Sequence, residues 1–259
     1  MSWQFLGITF YVYGLIIGLA IGVSIWLVEH KARQLNLKIN WTQLIVWEII
    51  FGVVGARIYH LLTDYQLYLG DFRAIFYIWN GGLSIIGAIL GAVIGLYCYD
   101  KITKKRINKL QILDLAIYGL PIGQAIGRFG NYVNQELYGL PTNLFWKIYI
   151  DPINRLPRYL DQSYYHPLFL YEAILMLLFG GWLWVLDYRG SKALKRVGTG
   201  SLFVNYALYY FSIRFCLEFL RLEKRMVMGN LSINQLIMVG LIIIVLIYQI
   251  YQKKLNEKK

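Results

Sequence analysis

Seven apolar stretches of about twenty residues divide this chain, and no other feature restricts its fold so severely. They run Thr9–Val28, Leu44–Leu62, Ile75–Tyr97, Ile112–Phe129, Leu168–Leu186, Ser201–Leu220 and Leu231–Tyr251. A backbone surrounded by hydrocarbon must pair every amide internally, and over such lengths the α-helix does this. The predicted fold class is an all-α membrane protein, a bundle of about seven transmembrane helices. Hydrophobic residues make up 58% of the sequence and charged ones 15%, leaving little polar surface for a solvated globule. No Lys or Arg precedes the first stretch in residues 1–8, and Glu29–Arg33 rather than a small-residue cleavage site follows it, so it is read as retained.

Orientation follows from the gaps, because Lys and Arg accumulate on the cytoplasmic side. Glu29–Trp41, Asp100–Gln111, Tyr188–Gly200 and the tail from Lys253 hold sixteen of them; the alternate gaps hold seven. The expectation is an outside N-terminus and a cytoplasmic C-terminus. Residues 1–259 then form a single polytopic domain. Asn131–Pro167, between the fourth and fifth helices, becomes a small extracytoplasmic head, with the strand-like alternation of Trp146–Asp151 inside it. The net charge of +12 sits in these gaps and forms no solvated basic face, so no nucleic-acid partner is expected. Cys98 and Cys216 fall in apolar runs and are read as membrane packing, with no disulfide scaffold and no metal site.

Three basic residues lie outside the gaps: Arg57, Arg128 and Arg214. A charge at bilayer depth costs about 2.5 kcal/mol or more, so each points to a function or a partner. Glu48, nine residues before Arg57, and Glu218, one turn after Arg214, are available for purely structural pairing.

Around Arg128 the segment Gly127–Gly139 packs Arg128, Asn131, Asn134, Gln135, Glu136 and three glycines into thirteen residues. Glycines permit a broken helix, and irregular backbone at membrane depth survives where it lines a polar cavity. A guanidinium fork with neighbouring amides suits a phosphate, so a phospholipid headgroup is the natural occupant. Tyr210, Arg214, Glu218 and Arg221 fall at helical spacing as one polar stripe, which must face the bundle interior. A second arginine there completes a clamp that Glu218 orients. Gly81, Gly82, Ser84, Gly87, Gly91 and Gly95 read as a small-residue packing seam. His166, before Pro167, is a helix cap or a site residue; Tyr13 with Gly14 is an interfacial anchor or a site residue.

In this order these segments resemble the bacterial prolipoprotein diacylglyceryl transferases. The resemblance rests on Gly127–Gly139, on Arg214-Phe215 with Glu218-Phe219 and Arg221, and on His166-Pro167 with Leu170-Tyr171-Glu172. It extends to Gly55-Ala56-Arg57 with Tyr59, Gly81-Gly82 with Ser84 and Gly87, and Tyr13-Gly14-Leu15. It implies transfer of the sn-1,2-diacylglyceryl group from phosphatidylglycerol to the lipobox cysteine of a prolipoprotein signal peptide, with no metal or organic cofactor. It carries functional importance onto Arg128, Asn131, Glu136, Gly139, Tyr13, Tyr210, Arg214 and Glu218.

Two departures matter. Ile86 stands where many members have a histidine proposed as the base, and isoleucine takes no proton, so the role passes by expectation to Glu136. Phe169 replaces a commonly polar residue and weakens the case for His166. Two other readings stay open: a diverged paralogue that binds phospholipid or lipoprotein without catalysis, and a transporter, although the two halves show no convincing repeat.

Overall fold

The computed structural model describes residues 2–5, 8–37, 39–77, 81–104, 107–190, 196–222, 226–228 and 231–257. For 2–5, 8–11, 85, 228, 253 and 255–257 the description stops at the backbone. Of the cations used above to assign sides, Lys38, Lys105, Arg106, Lys192, Lys195, Lys224, Arg225, Lys258 and Lys259 lie outside the described residues. The fold is mostly helical: α1 Val12–Gln34, α2 Trp41–Thr63, α3 Ile85–Thr103, α4 Lys109–Ala116, α5 Leu120–Val133, α6 Leu168–Tyr188, α7 Ser201–Glu218 and α8 Ile233–Glu257. Three two-stranded antiparallel ribbons complete it: β1 Ser2–Phe5 with β2 Ile8–Tyr11, β3 Ile148–Tyr149 with β4 Tyr164–Tyr165, and β5 Met226–Met228 with β6 Leu231–Ser232.

Helices α1, α2, α3, α6 and α8 are each long and apolar enough to cross a membrane, and α4 with α5 makes a sixth such segment bent by 48°. Helix α7, which carries Asn205, Arg214 and Glu218, is not among them. The protein is thus a multi-pass membrane protein. The bend replaces the continuous helix expected over Ile112–Phe129. Its cause is Pro121 in the first turn of α5, which offers no amide to a preceding turn. Ser24 Oγ on α1 donates to the Gly119 carbonyl at 3.2 Å, beside the Gly123 amide that the same carbonyl accepts at 2.9 Å, and a Cβ at Gly119 would come within 2.3 Å of the Ser24 carbonyl. The glycines after Gly127 do not break α5, which stays regular to Val133.

The chain divides into two compact units, residues 32–109 and residues 1–31 with 110–259. The smaller is built on α2 against α3. The predicted glycine seam closes it: a Cβ on Gly55 would lie 2.4 Å from the Gly87 carbonyl, and one on Gly91 2.1 Å from the Phe51 carbonyl. The third apolar stretch is corrected, since helix begins at Ile85 rather than Ile75 and runs on to Thr103. Gly81 and Gly82 precede it at φ +92° and +71°, a turn that a side chain would strain. Arg57 is buried in this unit. It donates to the carbonyls of Ala74, Ile75 (2.9 Å), Gly81 (2.7 Å) and Gly82 (2.9 Å), tying that irregular segment to α2. It does not pair with Glu48, one of whose carboxylate oxygens is buried without a hydrogen bond.

In the larger unit α5 packs on α6 and α7 on α8, around a core of Ile117, Tyr118, Ala125, Ala173, Met176, Phe179, Leu183, Leu202, Tyr206 and Ile213. Two buried charges hold its ends. Asp114 is fully enclosed and accepts four backbone N–H groups, from Gly198 (2.9 Å), Gly200 (2.8 Å), Leu202 (3.0 Å) and Phe203 (3.1 Å), capping α7 from a distant part of the chain. Lys31, expected as a solvated gap residue, is 1% exposed and ion-paired with Asp187 on α6. Between α5 and α6 a small lobe forms on Tyr138, Ile150 and Tyr165, with the expected strand character realised as the β3–β4 ribbon.

Candidate active site

Helix α5 places Arg128 and Asn131 one turn apart, so both side chains leave the same face of the helix. Arg128 Nη1 donates to Asn131 Oδ1 at 3.3 Å, and Asn131 Nδ2 donates to Glu136 Oε1 at 2.9 Å. The Glu136 amide also donates to the Asn131 carbonyl, which folds the loop back over the end of α5. Gln135 and Leu137, either side of Glu136, have φ of +51° and +54°, uncommon for residues with a Cβ. Backbone strain on both flanks is spent where Glu136 is aimed.

Glu172 joins this group from the first turns of α6. One of its oxygens accepts from Arg128 Nη2, and the other accepts from Arg214 Nη1 on α7 at 3.0 Å. The carboxylate is 4% exposed, against 21% and 24% for the two guanidiniums. One anion between two cations leaves a surplus of one positive charge in a sparsely hydrated place, where charges act strongly on one another. The residues around Tyr210 include the same three charges. The space between Arg128, Leu168, Phe169, Glu172, Arg214 and Arg221 is about 20 Å³, room for roughly one water. The carboxylate of Glu172 thus occupies the position that an anionic ligand of both arginines would take.

Of the residues singled out from sequence, Arg128, Asn131, Glu136, Tyr210 and Arg214 come together here. Asn134 and Arg221 line a second, larger cavity beside it. Glu218 does not orient Arg214. It is buried and accepts from Asn234 Nδ2 (2.8 Å), Ser232 Oγ (3.2 Å) and more distantly Arg221 Nη1 (3.4 Å), fastening α7 to the start of α8. His166 does not cap α6, whose N-terminus has no side-chain cap. Its Nδ1 faces the Tyr171 hydroxyl at 3.0 Å, and Tyr171 in turn accepts from Trp146 Nε1 at 2.7 Å. Gly139 lies where backbones meet: its amide donates to the His166 carbonyl at 2.8 Å, and a Cβ there would sit 2.9 Å from that of His166. Tyr13 lies against Gly130 of α5, where an added Cβ would come within 2.9 Å of the tyrosine ring. Phe169 meets Phe129 edge-on and Tyr132 at a tilt, making an apolar wall. Arg57 and Ile86 belong to the other unit.

The residue that sequence reasoning passed over is Glu172. Its signal is present in the sequence, since an acid inside an apolar run is as anomalous as an arginine there. Gln124, which accepts from the buried Tyr206 hydroxyl, carries no charge and so gives no comparable signal.

The family model described as prolipoprotein diacylglyceryl transferase matches residues 1–251 of this chain. Proteins named phosphatidylglycerol–prolipoprotein diacylglyceryl transferase are similar to it along most of its length. That of Thermosynechococcus vestitus is 35% identical over 231 residues, covering 87% of this chain and 82% of its own. That of a Nostoc species is 38% identical over 227 residues, 87% of this chain and 79% of its own. That of Thermotoga maritima is 36% identical over 235 residues, 90% of this chain and 77% of its own.

Proposed function

The chain belongs to the prolipoprotein diacylglyceryl transferase family, and on that premise we propose that it transfers the sn-1,2-diacylglyceryl group of phosphatidylglycerol to the lipobox cysteine of a prolipoprotein signal peptide. The observation that carries the reading is the pair of guanidiniums, Arg128 and Arg214, gathered on one buried carboxylate with one positive charge to spare. A phosphodiester brings the one negative charge that this surplus matches.

In the proposed reaction the cysteine thiolate attacks the glyceryl carbon that bears the phosphate. The carbon–sulfur bond forms as the carbon–oxygen bond breaks, and the electron pair leaves on oxygen as glycerol phosphate. The leaving phosphate gains a negative charge, which Arg128 and Arg214 stabilise in a place where water does not screen them. The thiol proton goes to Glu136, held by Asn131 next to Arg128, and from there to solvent at the exposed loop. Asn131 positions both neighbours. Glu172 keeps the two arginines parallel and yields its place when phosphate arrives. Tyr210 and Arg221 border the substrate, while Tyr13, Gly139 and His166 shape its surroundings through packing. Arg57 holds the carbonyls of Ala74, Ile75, Gly81 and Gly82 within its own unit.

The proposed topology is a single polytopic domain of seven crossings in the bacterial cell membrane, with α7 as a crossing whose Arg214 and Glu218 pair with protein groups. The N-terminus lies outside, the C-terminus in the cytoplasm, and the lobe at residues 131–167 stands at the outer face.

Purified protein in phosphatidylglycerol vesicles, supplied with a lipobox peptide, should yield the diacylglyceryl thioether by mass spectrometry. Arg128→Ala should yield at least about a hundredfold less. Ile86 is the one feature that favours a non-catalytic binder, and wild-type protein that binds the lipid and peptide without forming adduct would establish that alternative.

A further inference from the structure

On α5, Gln124 precedes Arg128 by one turn, so the two side chains leave the same face of the helix. On α7, Tyr206, Tyr210 and Arg214 share a face in the same way. The two faces meet in rungs. The Tyr206 hydroxyl donates to Gln124 Oε1, and one turn nearer the lobe the Tyr210 hydroxyl accepts from Arg128. Helix α6 keeps the same levels in the opposite chain direction: Met176 Sδ lies 3.7 Å from the Tyr206 hydroxyl, one turn beyond Glu172, which pairs with both arginines. The Gln124–Tyr206 rung therefore lies one turn of α5, about 6 Å, from the guanidinium level, on the side away from the lobe.

Tyr206 is buried and has one proton to give, so the oxygen of the Gln124 amide is committed to it. The Gln124 Nε2 is the free end of that amide. It carries two hydrogens and has no acceptor among the described residues. Nor is it sealed inside the protein: the enclosed, unbonded side-chain atoms among the described residues are Trp41 Nε1 and Glu48 Oε1, and Gln124 is only partly buried. An amide facing hydrocarbon without an acceptor is costly, and water is not at hand to relieve it. The lipid supplies an acceptor at this level. Passing from its phosphate toward its chains, the ester carbonyls are the last polar groups before hydrocarbon.

We propose that Gln124 Nε2 donates to an ester carbonyl of the donor lipid while Arg128 and Arg214 hold its phosphate, so that Gln124 selects ester-linked over ether-linked chains and Tyr206 positions its amide. The proposal rests on the transferase reading and adds to it a second point of attachment. A lipid held by its phosphate alone turns about the clamp. Held at the phosphate and at an ester, it has the carbon between them fixed, and that is the carbon the thiolate attacks. An ether oxygen is a weaker acceptor than a carbonyl and projects no oxygen from the chain toward the amide.

The test compares kcat/KM for phosphatidylglycerol and for its diether analogue, which keeps the headgroup and replaces both ester linkages, in wild type, Gln124→Met, Tyr206→Phe and the double variant. Wild type should prefer the diester by about tenfold, the worth of one good hydrogen bond. Gln124→Met, similar in shape but without a donor, should bring the two lipids to about the same kcat/KM, and Tyr206→Phe should keep part of the preference. The ratio is the readout, because a loosened fold lowers both lipids together. The double variant removes both partners of the rung, leaves no hydroxyl unpaired, and should show the same lost preference as Gln124→Met. Equal kcat/KM for the two lipids in wild type, or a preference that survives in Gln124→Met or in the double variant, would overturn the role of Gln124 while leaving the transferase reading intact. Turnover of neither lipid by wild type would overturn that reading, and the proposal with it.

Discussion

Arg128 and Arg214 come from different helices and share one carboxylate: Glu172 accepts from each of them with a separate oxygen. This relationship converts two costly buried cations into a net charge of one, oriented and waiting for an anion. Breaking such a pairing by removing the shared partner leaves uncompensated charge and costs about 3–5 kcal/mol. Glu172→Ala should therefore lower thermal stability in detergent markedly. Glu172→Gln, which keeps shape and hydrogen-bonding capacity, should fold nearly normally and transfer more slowly. Equal melting temperatures for wild type and Glu172→Ala would show that the two arginines do not depend on it.

Asp114 serves α7 in a comparable way, with four backbone amides on one enclosed carboxylate. Hydrogen bonds to a charged group contribute about 1.5–3 kcal/mol each, and they act here as a unit. Asp114→Ala should cost about 2–4 kcal/mol, Asp114→Asn less, because the amide still offers one accepting oxygen. Thermal unfolding of the three proteins in the same micelle decides it.

Gly139 gives a steric prediction. The Cβ of an alanine would lie 2.9 Å from the His166 Cβ and 3.0 Å from the Leu220 carbonyl, both parts of well-ordered backbone crossings. Gly139→Ala should destabilise by about 1–3 kcal/mol and reduce transfer, since the same loop carries Leu137 and Glu136. A variant as stable and active as wild type would mean that the crossing relaxes freely.

His166 gives a pH dependence. Burial disfavours its charged form and lowers its pKa from the ordinary value of 6.5. As pH falls through that value the unfolded chain gains a proton that the folded protein does not hold. Stability is therefore whole above about 6.5 and declines below it. The melting temperature should drop between pH 7 and pH 5, and His166→Asn should flatten that drop.

The helical membrane fold was legible because twenty-residue apolar runs leave few alternatives. The glycine seam of α2 and α3 was legible because its spacing of four is a packing signal in its own right. What escaped depended on distant partners. Nothing local to Arg214 says that its carboxylate comes from α6 rather than from Glu218 one turn away. Nothing near Arg57 says that its guanidinium donates to the four backbone carbonyls of Ala74, Ile75, Gly81 and Gly82. The start of the third helix at Ile85 was obscured for a related reason: the stretch before it is apolar and reads as helix until the positive φ of Gly81 and Gly82 is known. Arg128, Asn131 and Glu136 were legible together because they lie within one short segment.

The central claim is that Arg128 and Arg214 jointly hold a lipid phosphate, and binding tests it without depending on chemistry. A non-transferable phosphonate analogue of phosphatidylglycerol, titrated onto wild type, Arg128→Lys, Arg214→Lys and the double variant, completes a double-mutant cycle. Each lysine should weaken binding at least about tenfold, because a point charge does not reproduce a two-pronged contact, and the double variant should lose less than the product of the single losses. Wild-type affinity in either single variant, or strictly multiplicative losses, would contradict a shared phosphate site.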